Sequence, residues 1–134
     1  MEGCKEKLLE NKIISITASI FNNLENRRLL QIGSCEVSCK IVKHFIELGC
    51  LKENIIILDN QNNPLKDYEY NILKSDIIVL ASTAFNYYIT NSHLENIVIE
   101  RKKQNLLIFD VLHHKSIEVR LSKVKDIFYF HFSL

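Results

Sequence analysis

The chain has almost no excess charge and no long hydrophobic run. Its 17 Lys and Arg residues nearly balance 16 Asp and Glu residues, so the formal net charge at pH 7 is +1. A nearly neutral chain lacks the positive surface that attracts nucleic acids and anionic membranes, so we expect neither as a partner. No apolar stretch reaches the ~18 residues needed to cross a bilayer. Residues 1–7 lack the hydrophobic segment of a signal peptide.

Glycine and proline are scarce as well, with three residues and one residue respectively. No repeat, low-complexity tract or obvious linker divides the 134 residues, of which 47% are hydrophobic. These properties are typical of one compact domain of common size. Four cysteines without an export signal predict reduced thiols and a cytoplasmic location.

Two hydrophobic periodicities alternate along the chain. Helical spacing predicts helices over residues 6–24, 37–48, 65–74 and 92–103. Short continuous apolar runs predict strands over residues 29–32, 55–58, 77–80, 106–109 and 127–130. This alternation predicts an α/β fold in three layers, with a mostly parallel sheet of about five strands. We expect this domain to span residues 29–134, preceded by a helical segment over residues 1–28.

A tight turn follows the first predicted strand. Its sequence GSCEVS, residues 33–38, leads into a predicted helix and then a second strand. This is the layout of a Rossmann-like dinucleotide-binding unit, whose G-x-G-x-x-G turn directs backbone N–H groups and a helix N-terminus at a pyrophosphate. Gly33 keeps the first glycine, whereas Cys35 and Ser38 replace the second and third. The predicted pyrophosphate-binding residues are Gly33, Ser34, Cys35 and Glu36.

Polar residues follow the second and third predicted strands. Asp59 lies about 20 residues after the turn, where an acid commonly binds the ribose 2′-OH of NAD, and Asn60 is next to it. Ser82 and Thr83 follow the third strand, and ligands of parallel α/β sheets bind at the carboxyl ends of strands. We predict Asp59 and Asn60 at the adenosine ribose and Ser82 and Thr83 on the nicotinamide side. Ser and Thr at such positions also serve as helix caps, and both interpretations of Ser82 and Thr83 stay open.

The cysteines are candidates for metal ligands and for a nucleophile. Cys35 and Cys39 lie four residues apart with His44 nearby, but one Cys-x₃-Cys pair on a single helix is poor spacing for zinc, so we predict no metal site. Cys39 and Cys50 are expected to be buried as small apolar side chains. Cys35 is the better candidate for a reactive thiol because helix N-termini stabilise thiolates, but a replaced glycine explains it equally well.

Several segments resemble one enzyme family, in order and spacing. Residues 30–37, LQIGSCEV, resemble the nucleotide-binding turn V-x-I-G-A-G-E-M of glutamyl-tRNA reductases. Residues 75–84, SDIIVLASTA, resemble that family's A-D-I-V-I-S-S-T-A-A, and residues 106–111, LLIFDV, resemble its L-L-I-D-I. Residues 128–134, FYFHFSL, are similar to its L-Y-D-I-D-D-L. The matches cover nearly the whole chain, from about Ile13 onward.

The resemblance implies a function in tetrapyrrole (porphyrin) biosynthesis. Glutamyl-tRNA reductases form a thioester on a cysteine of an N-terminal domain, and NADPH held by the middle domain reduces it to glutamate-1-semialdehyde. This chain resembles only that middle domain, which implies a separate chain carrying the catalytic and dimerisation domains. Cys4 lies outside every matched segment. We therefore assign no catalytic residue, and we expect the isolated chain to be inactive.

Two departures from the family bear on the cofactor. The family's N-R-T after the second strand aligns with Asn60-Gln61-Asn62, and Gln61 carries no charge for the 2′-phosphate of NADPH. NADH therefore becomes an alternative to NADPH. The family has a further helix and an edge strand between the second strand and the A-D-I-V match. Here only residues 60–75 lie in this place, too few for both, so we expect the domain to be shorter by one helix and one edge strand and to expose a new edge.

Two functions from different classes stay open. In the first, the chain is the cofactor-binding module of a glutamyl-tRNA reductase-like protein, an interpretation that Gly33, Glu36 and Asp59 favour. In the second, it is a decayed Rossmann-like domain that acts as a non-catalytic interaction module, which Cys35 and Gln61 favour. A third possibility, a precorrin-2 dehydrogenase, fits the matches after the third and fourth strands less well.

Overall fold

The computed structural model describes residues 2–33, 35–58, 65–81, 100, 104–111 and 127–132. Its helices are α1 (Glu2–Ile20), α2 (Glu36–Glu47) and α3 (Leu65–Lys74), with a single 3₁₀ turn at Lys52–Asn54. Its strands are β1 (Leu29–Ile32), β2 (Ile55–Leu58), β3 (Ile77–Leu80), β4 (Leu106–Asp110) and β5 (Ile127–His131). Each predicted strand is present, and β4 and β5 extend one residue beyond prediction. The helix predicted over residues 92–103 lies outside the described residues except at Glu100.

The five strands form one parallel sheet in the order β2-β1-β3-β4-β5. The predicted α/β, Rossmann-like fold is therefore confirmed. The registers align Ile32 of β1 with Leu58 of β2 and with Leu80 of β3, so the carboxyl ends of these three strands lie side by side. A crossover follows β2 and places β3 on the other side of β1, and such a switch point is where α/β sheets bind ligands.

Both faces of the central strands are buried, which explains their continuous apolar sequence. Helices α1 and α2 cover one face, where Phe45 and Ile13 belong to the same buried cluster as Leu29 and Phe109. Helix α3 contributes Ile72 to the cluster on the other face. The central strands β1, β3 and β4 are buried along their whole length.

Strand β2 is an edge strand, with β1 as its only partner among the described strands. Ile56 and Ile57 point to opposite faces, and each side chain is 42% exposed. This agrees with the expectation that a shortened segment after β2 leaves a new edge exposed.

The first helix ends earlier than its apolar spacing predicts. Residues 6–24 were expected to be helical, but α1 ends at Ile20. Phe21 and Leu24 are buried beyond its end, in the loop that leads to β1. In that loop the Asn23 side chain accepts a hydrogen bond from the Glu25 N–H at 2.7 Å, a local alternative to helical bonding. None of the helices in the described ranges is long and apolar enough to cross a membrane.

Candidate functional site

The turn between β1 and α2 begins at a glycine that the backbone requires. Gly33 has φ of 77°, a region that residues with a Cβ adopt only with strain. Its N–H donates to the Leu58 carbonyl of β2 at 2.7 Å. The first glycine of the predicted motif therefore makes the turn possible and ties it to the neighbouring strand.

Cysteine at the second glycine position costs the backbone nothing. Cys35 is the N-cap of α2 with φ of −145° and ψ of 171°, an extended conformation open to any residue. Its thiol accepts a hydrogen bond from the Ser38 N–H at 3.5 Å. The conformation at position 35 therefore does not require a glycine.

Serine at the third position is fully buried and completes a capping box. The Ser38 hydroxyl accepts a hydrogen bond from the Cys35 N–H at 2.9 Å and donates one to the Cys35 carbonyl at 2.9 Å. With the thiol contact, the first turn of α2 thus satisfies its own N–H groups at residues 35 and 38. A serine is thus accommodated at the position of the third glycine.

Gln31 is a contributor to the turn that the sequence analysis did not single out. It is a polar residue inside the apolar strand LLQI and is only 1% exposed. Its Nε2 donates to the Gly33 carbonyl at 2.8 Å and to the Ser38 hydroxyl at 3.0 Å. One amide therefore connects both ends of the turn. The only signal in the sequence was a glutamine where neighbouring strand residues are aliphatic.

Glu36, the remaining described residue of the predicted phosphate site, faces solvent. Its carboxylate lies 3.5 Å from the Lys40 Nζ, one helical turn further on. An acid in the first turn of a helix is favourable toward the helix dipole. Its side chain is mostly exposed, so it contributes to the rim of the turn and not to its interior.

Five predicted site residues lie outside the described part of the chain: Ser34, Asp59, Asn60, Ser82 and Thr83. The residues just before two of these positions are described. Leu58 accepts the Gly33 N–H, and the Ala81 N–H donates to the Ile32 carbonyl at 2.8 Å. Leu58 and Ala81 therefore lie directly beside the end of β1 and the Gly33 turn, on its two sides.

A buried acid lies at the carboxyl end of β4, on the same side of the sheet as the Gly33 turn. Asp110 ends β4, is 0% exposed and is aligned with Leu80 of β3. The Tyr129 hydroxyl of β5 donates to the Asp110 Oδ2 at 2.6 Å. Burial, followed by the hydrogen bond and charge of Asp110, raises the pKa of Tyr129 far above its ordinary value. The pair joins β4 to β5, and its contact depends on strand register.

The described cysteines have three different environments. Cys35 is half-buried and Cys50 is buried, and burial raises the pKa of the Cys50 thiol. Cys39 is exposed, so the prediction that it is buried was wrong. It follows the N-cap by one helical turn, on a side of α2 that the core does not cover, whereas Val37, Ile41 and Phe45 form the buried stripe.

His44 has a partner on another helix. Its Nε2 lies 2.8 Å from the Glu10 Oε2 of α1, and its Nδ1 lies 3.6 Å from the Glu47 carboxylate. Within the described ranges, no group of three or more His, Cys, Asp or Glu side chains is arranged to hold a metal ion. The contacts of His44 instead attach α1 to α2.

Comparison with known families gives a match over most of the chain. The family model described as shikimate / quinate 5-dehydrogenase matches residues 15–133. This range contains the entire sheet and the turn at Gly33.

Curated relatives carry a different enzyme name. Glutamyl-tRNA reductase from Chlorobium phaeovibrioides is 22% identical over 130 residues, which cover 86% of this chain and 30% of that protein. Glutamyl-tRNA reductase from Staphylococcus aureus (strain JH9) is 24% identical over 127 residues, covering 86% of this chain and 28% of that protein. The chain thus spans less than a third of the length of these relatives.

A solved structure has the same fold. Glutamyl-tRNA reductase from Methanopyrus kandleri superimposes with a TM-score of 0.72 and 12% identity, covering 88% of this chain and 33% of that one. The resemblance to glutamyl-tRNA reductases that the sequence motifs indicated is confirmed by these matches.

Proposed function

Because the chain belongs to the shikimate / quinate 5-dehydrogenase family, we propose that it binds a nicotinamide dinucleotide as the cofactor domain of a glutamyl-tRNA reductase-like protein. The observation that carries the proposal is the position of the Gly33 turn. It joins β1 to α2 at the switch point of a parallel sheet, where this class of fold binds dinucleotides. The process served is tetrapyrrole biosynthesis.

The pyrophosphate is assigned to the turn. We assign it to Gly33, Ser34, Cys35 and Glu36, because the N-terminus of α2 begins in this segment and its backbone dipoles attract negative charge. Cys35 brings a side chain to the place where a glycine would allow the closest approach of a phosphate. These residues bind and orient the cofactor, and the bound dinucleotide supplies the hydride.

The two ends of the cofactor are assigned to the strands on either side of the turn. Asp59 and Asn60 would hold the adenosine ribose after β2, and Ser82 and Thr83 would contact the nicotinamide side after β3. The carboxylate of Asp59 would repel a 2′-phosphate, and Gln61 would not neutralise it. We therefore propose that NADH is bound at least as well as NADPH.

The remaining chemistry belongs to protein segments other than the residues matched here. The relatives are about three times as long as the matched segment, and their name describes reduction of glutamyl-tRNA. We propose that a catalytic cysteine and a dimerisation domain come from such segments, and that the 134 residues alone do not complete the reaction.

A second candidate function rests on the same turn. Two of the three glycines are replaced, and the side chains that replace them satisfy N–H groups of the turn. A domain that no longer binds a dinucleotide and acts as an interaction module would tolerate both changes. The exposed Ile56 and Ile57 on edge strand β2 would then be available to a protein partner.

A calorimetric titration of the folded chain with NADPH and with NADH separates the two candidates. A Cys35→Asp variant provides the site-directed arm, because Asp is a good N-cap but its carboxylate would face the pyrophosphate. We expect the variant to weaken binding by about tenfold or more, since like charges a few ångströms apart repel by more than 1 kcal/mol. Cys39→Asp, on the exposed side of the same helix, should leave affinity unchanged.

Either of two results would contradict the proposal. One is the absence of heat with both cofactors at millimolar concentration from a folded sample, which would leave the interaction module. The other is equal binding by the wild type and Cys35→Asp, which would place the dinucleotide away from the turn.

A further inference from the structure

The Ser38 hydroxyl accepts a hydrogen bond from the backbone N–H of Cys35, the donor that a phosphate would need. The second position of the dinucleotide motif is where the backbone approaches the pyrophosphate, and that position is Cys35. The Cys35 N–H donates to the Ser38 Oγ at 2.9 Å. A glycine at position 38, as the motif has, carries no side chain that could accept this bond.

The hydroxyl is held in this position by further contacts. It donates to the Cys35 carbonyl at 2.9 Å and accepts from the Gln31 Nε2 at 3.0 Å, which fills the bonding capacity of a serine. Gln31 is 1% exposed and Ser38 is 0% exposed, so water cannot replace either partner. Gln31 is anchored in turn, through the same Nε2, on the Gly33 carbonyl at 2.8 Å.

We propose that Ser38, positioned by Gln31, is an internal competitor for the phosphate and sets the affinity of the turn for its cofactor. Binding of the pyrophosphate to the Cys35 N–H requires the Ser38 hydroxyl to give up that donor. The inference rests on the proposed function, and it adds that the affinity of this site is limited by a contact within the protein. Ser38 and Gln31 are positioning residues, since both act through the backbone of the turn.

The test is the Ser38→Ala variant of the full chain. Removing the hydroxyl frees the Cys35 N–H, so the Kd for NADPH or NADH should fall by about fivefold, the equivalent of one ordinary hydrogen bond. The same variant should lower the Tm, because it deletes a buried hydrogen-bonded group and half of a capping box. If Ser38 had only a structural role, the Ser38→Ala variant would lower both the affinity for the cofactor and the Tm. Competition with the phosphate instead predicts a higher affinity together with a lower Tm.

Thr17→Val is the matched control. Thr17 is 1% exposed, and its hydroxyl donates to the Ile13 carbonyl of α1 at 2.8 Å, away from the turn. This variant also deletes a buried hydroxyl and should lower the Tm, with no change in the Kd. A gain in affinity for both variants would overturn the proposal, because it would reflect general loosening of the fold.

A second measurement follows the hydrogen bond without the cofactor. The Cys35 amide should exchange slowly with D₂O in the wild type and faster in Ser38→Ala, as observed by NMR. An unprotected amide in the wild type would overturn the proposal. Binding by the wild type without any gain in Ser38→Ala would overturn this inference alone. Failure of both proteins to bind either cofactor would overturn it together with the proposed function.

Discussion

Replacing Tyr129 by Phe tests the contact that this half-buried side chain of β5 makes with the buried Asp110 of β4. The hydroxyl donates to a carboxylate that is 0% exposed, at 2.6 Å. Hydrogen bonds to charged groups contribute about 1.5–3 kcal/mol, and the variant leaves Asp110 without this donor. We therefore expect Tyr129→Phe to lower the free energy of unfolding at pH 7 by about 2 kcal/mol. Urea titrations followed by far-UV circular dichroism measure this difference.

The same pair predicts how the difference depends on pH. The pKa of Tyr129 is raised in the folded protein, so the folded state keeps its proton at a pH where the unfolded chain loses it. The contribution of Tyr129 is therefore fully present below the ordinary tyrosine pKa of about 10 and decreases above it. The stability difference between wild type and Tyr129→Phe should stay constant up to that pH and then shrink by about 1.4 kcal/mol per pH unit.

Tyr70→Phe is the control for this experiment, because Tyr70 is exposed on α3. It should change stability at pH 7 by less than about 0.5 kcal/mol. A Tyr129→Phe effect of that small size, or a difference that does not shrink above pH 10, would refute the assignment of the hydrogen bond to a buried carboxylate.

Two further predictions concern the backbone and the thiols. Gly49→Ala should cost about 1 kcal/mol in urea unfolding, because Gly49 has φ of 110° although an added Cβ would meet nothing within 4 Å; an unchanged stability would mean that the turn after α2 is not held in this conformation. Iodoacetamide should modify Cys39 first, Cys35 second and Cys50 last, as followed by mass spectrometry. Cys39 is exposed, whereas Cys50 is buried and burial raises the pKa of its thiol. Fast labelling of Cys50 in the folded protein would contradict its placement in the core.

The secondary structure and the α/β class of the fold follow from local sequence. Strands such as Leu29–Ile32 and Ile77–Leu80 are continuous apolar runs, and only a sheet covered on both faces buries such runs completely. The glycine at position 33 likewise predicts the turn after β1, because nearly every other residue is strained at the positive φ with which this turn begins. The end of α1 was missed, because the side chains of Phe21 and Leu24 keep a helical spacing although the backbone around Asn23 has already left the helix.

The side-chain contacts of the site were decided by the tertiary structure. Gln31 meets Ser38 across seven residues and Tyr129 meets Asp110 across 19, and in each pair the two residues belong to different secondary-structure elements. Such contacts depend on strand register and on the direction of the turn, which apolar periodicity does not encode. Cys39 is different, because it lies off the helical stripe of Val37, Ile41 and Phe45, so the apolar spacing of α2 already indicated that it is exposed. The sequence by itself determined where the glycine turn between β1 and α2 would form, whereas the packing of Gln31, Cys35 and Ser38 decided which of its N–H groups are already engaged.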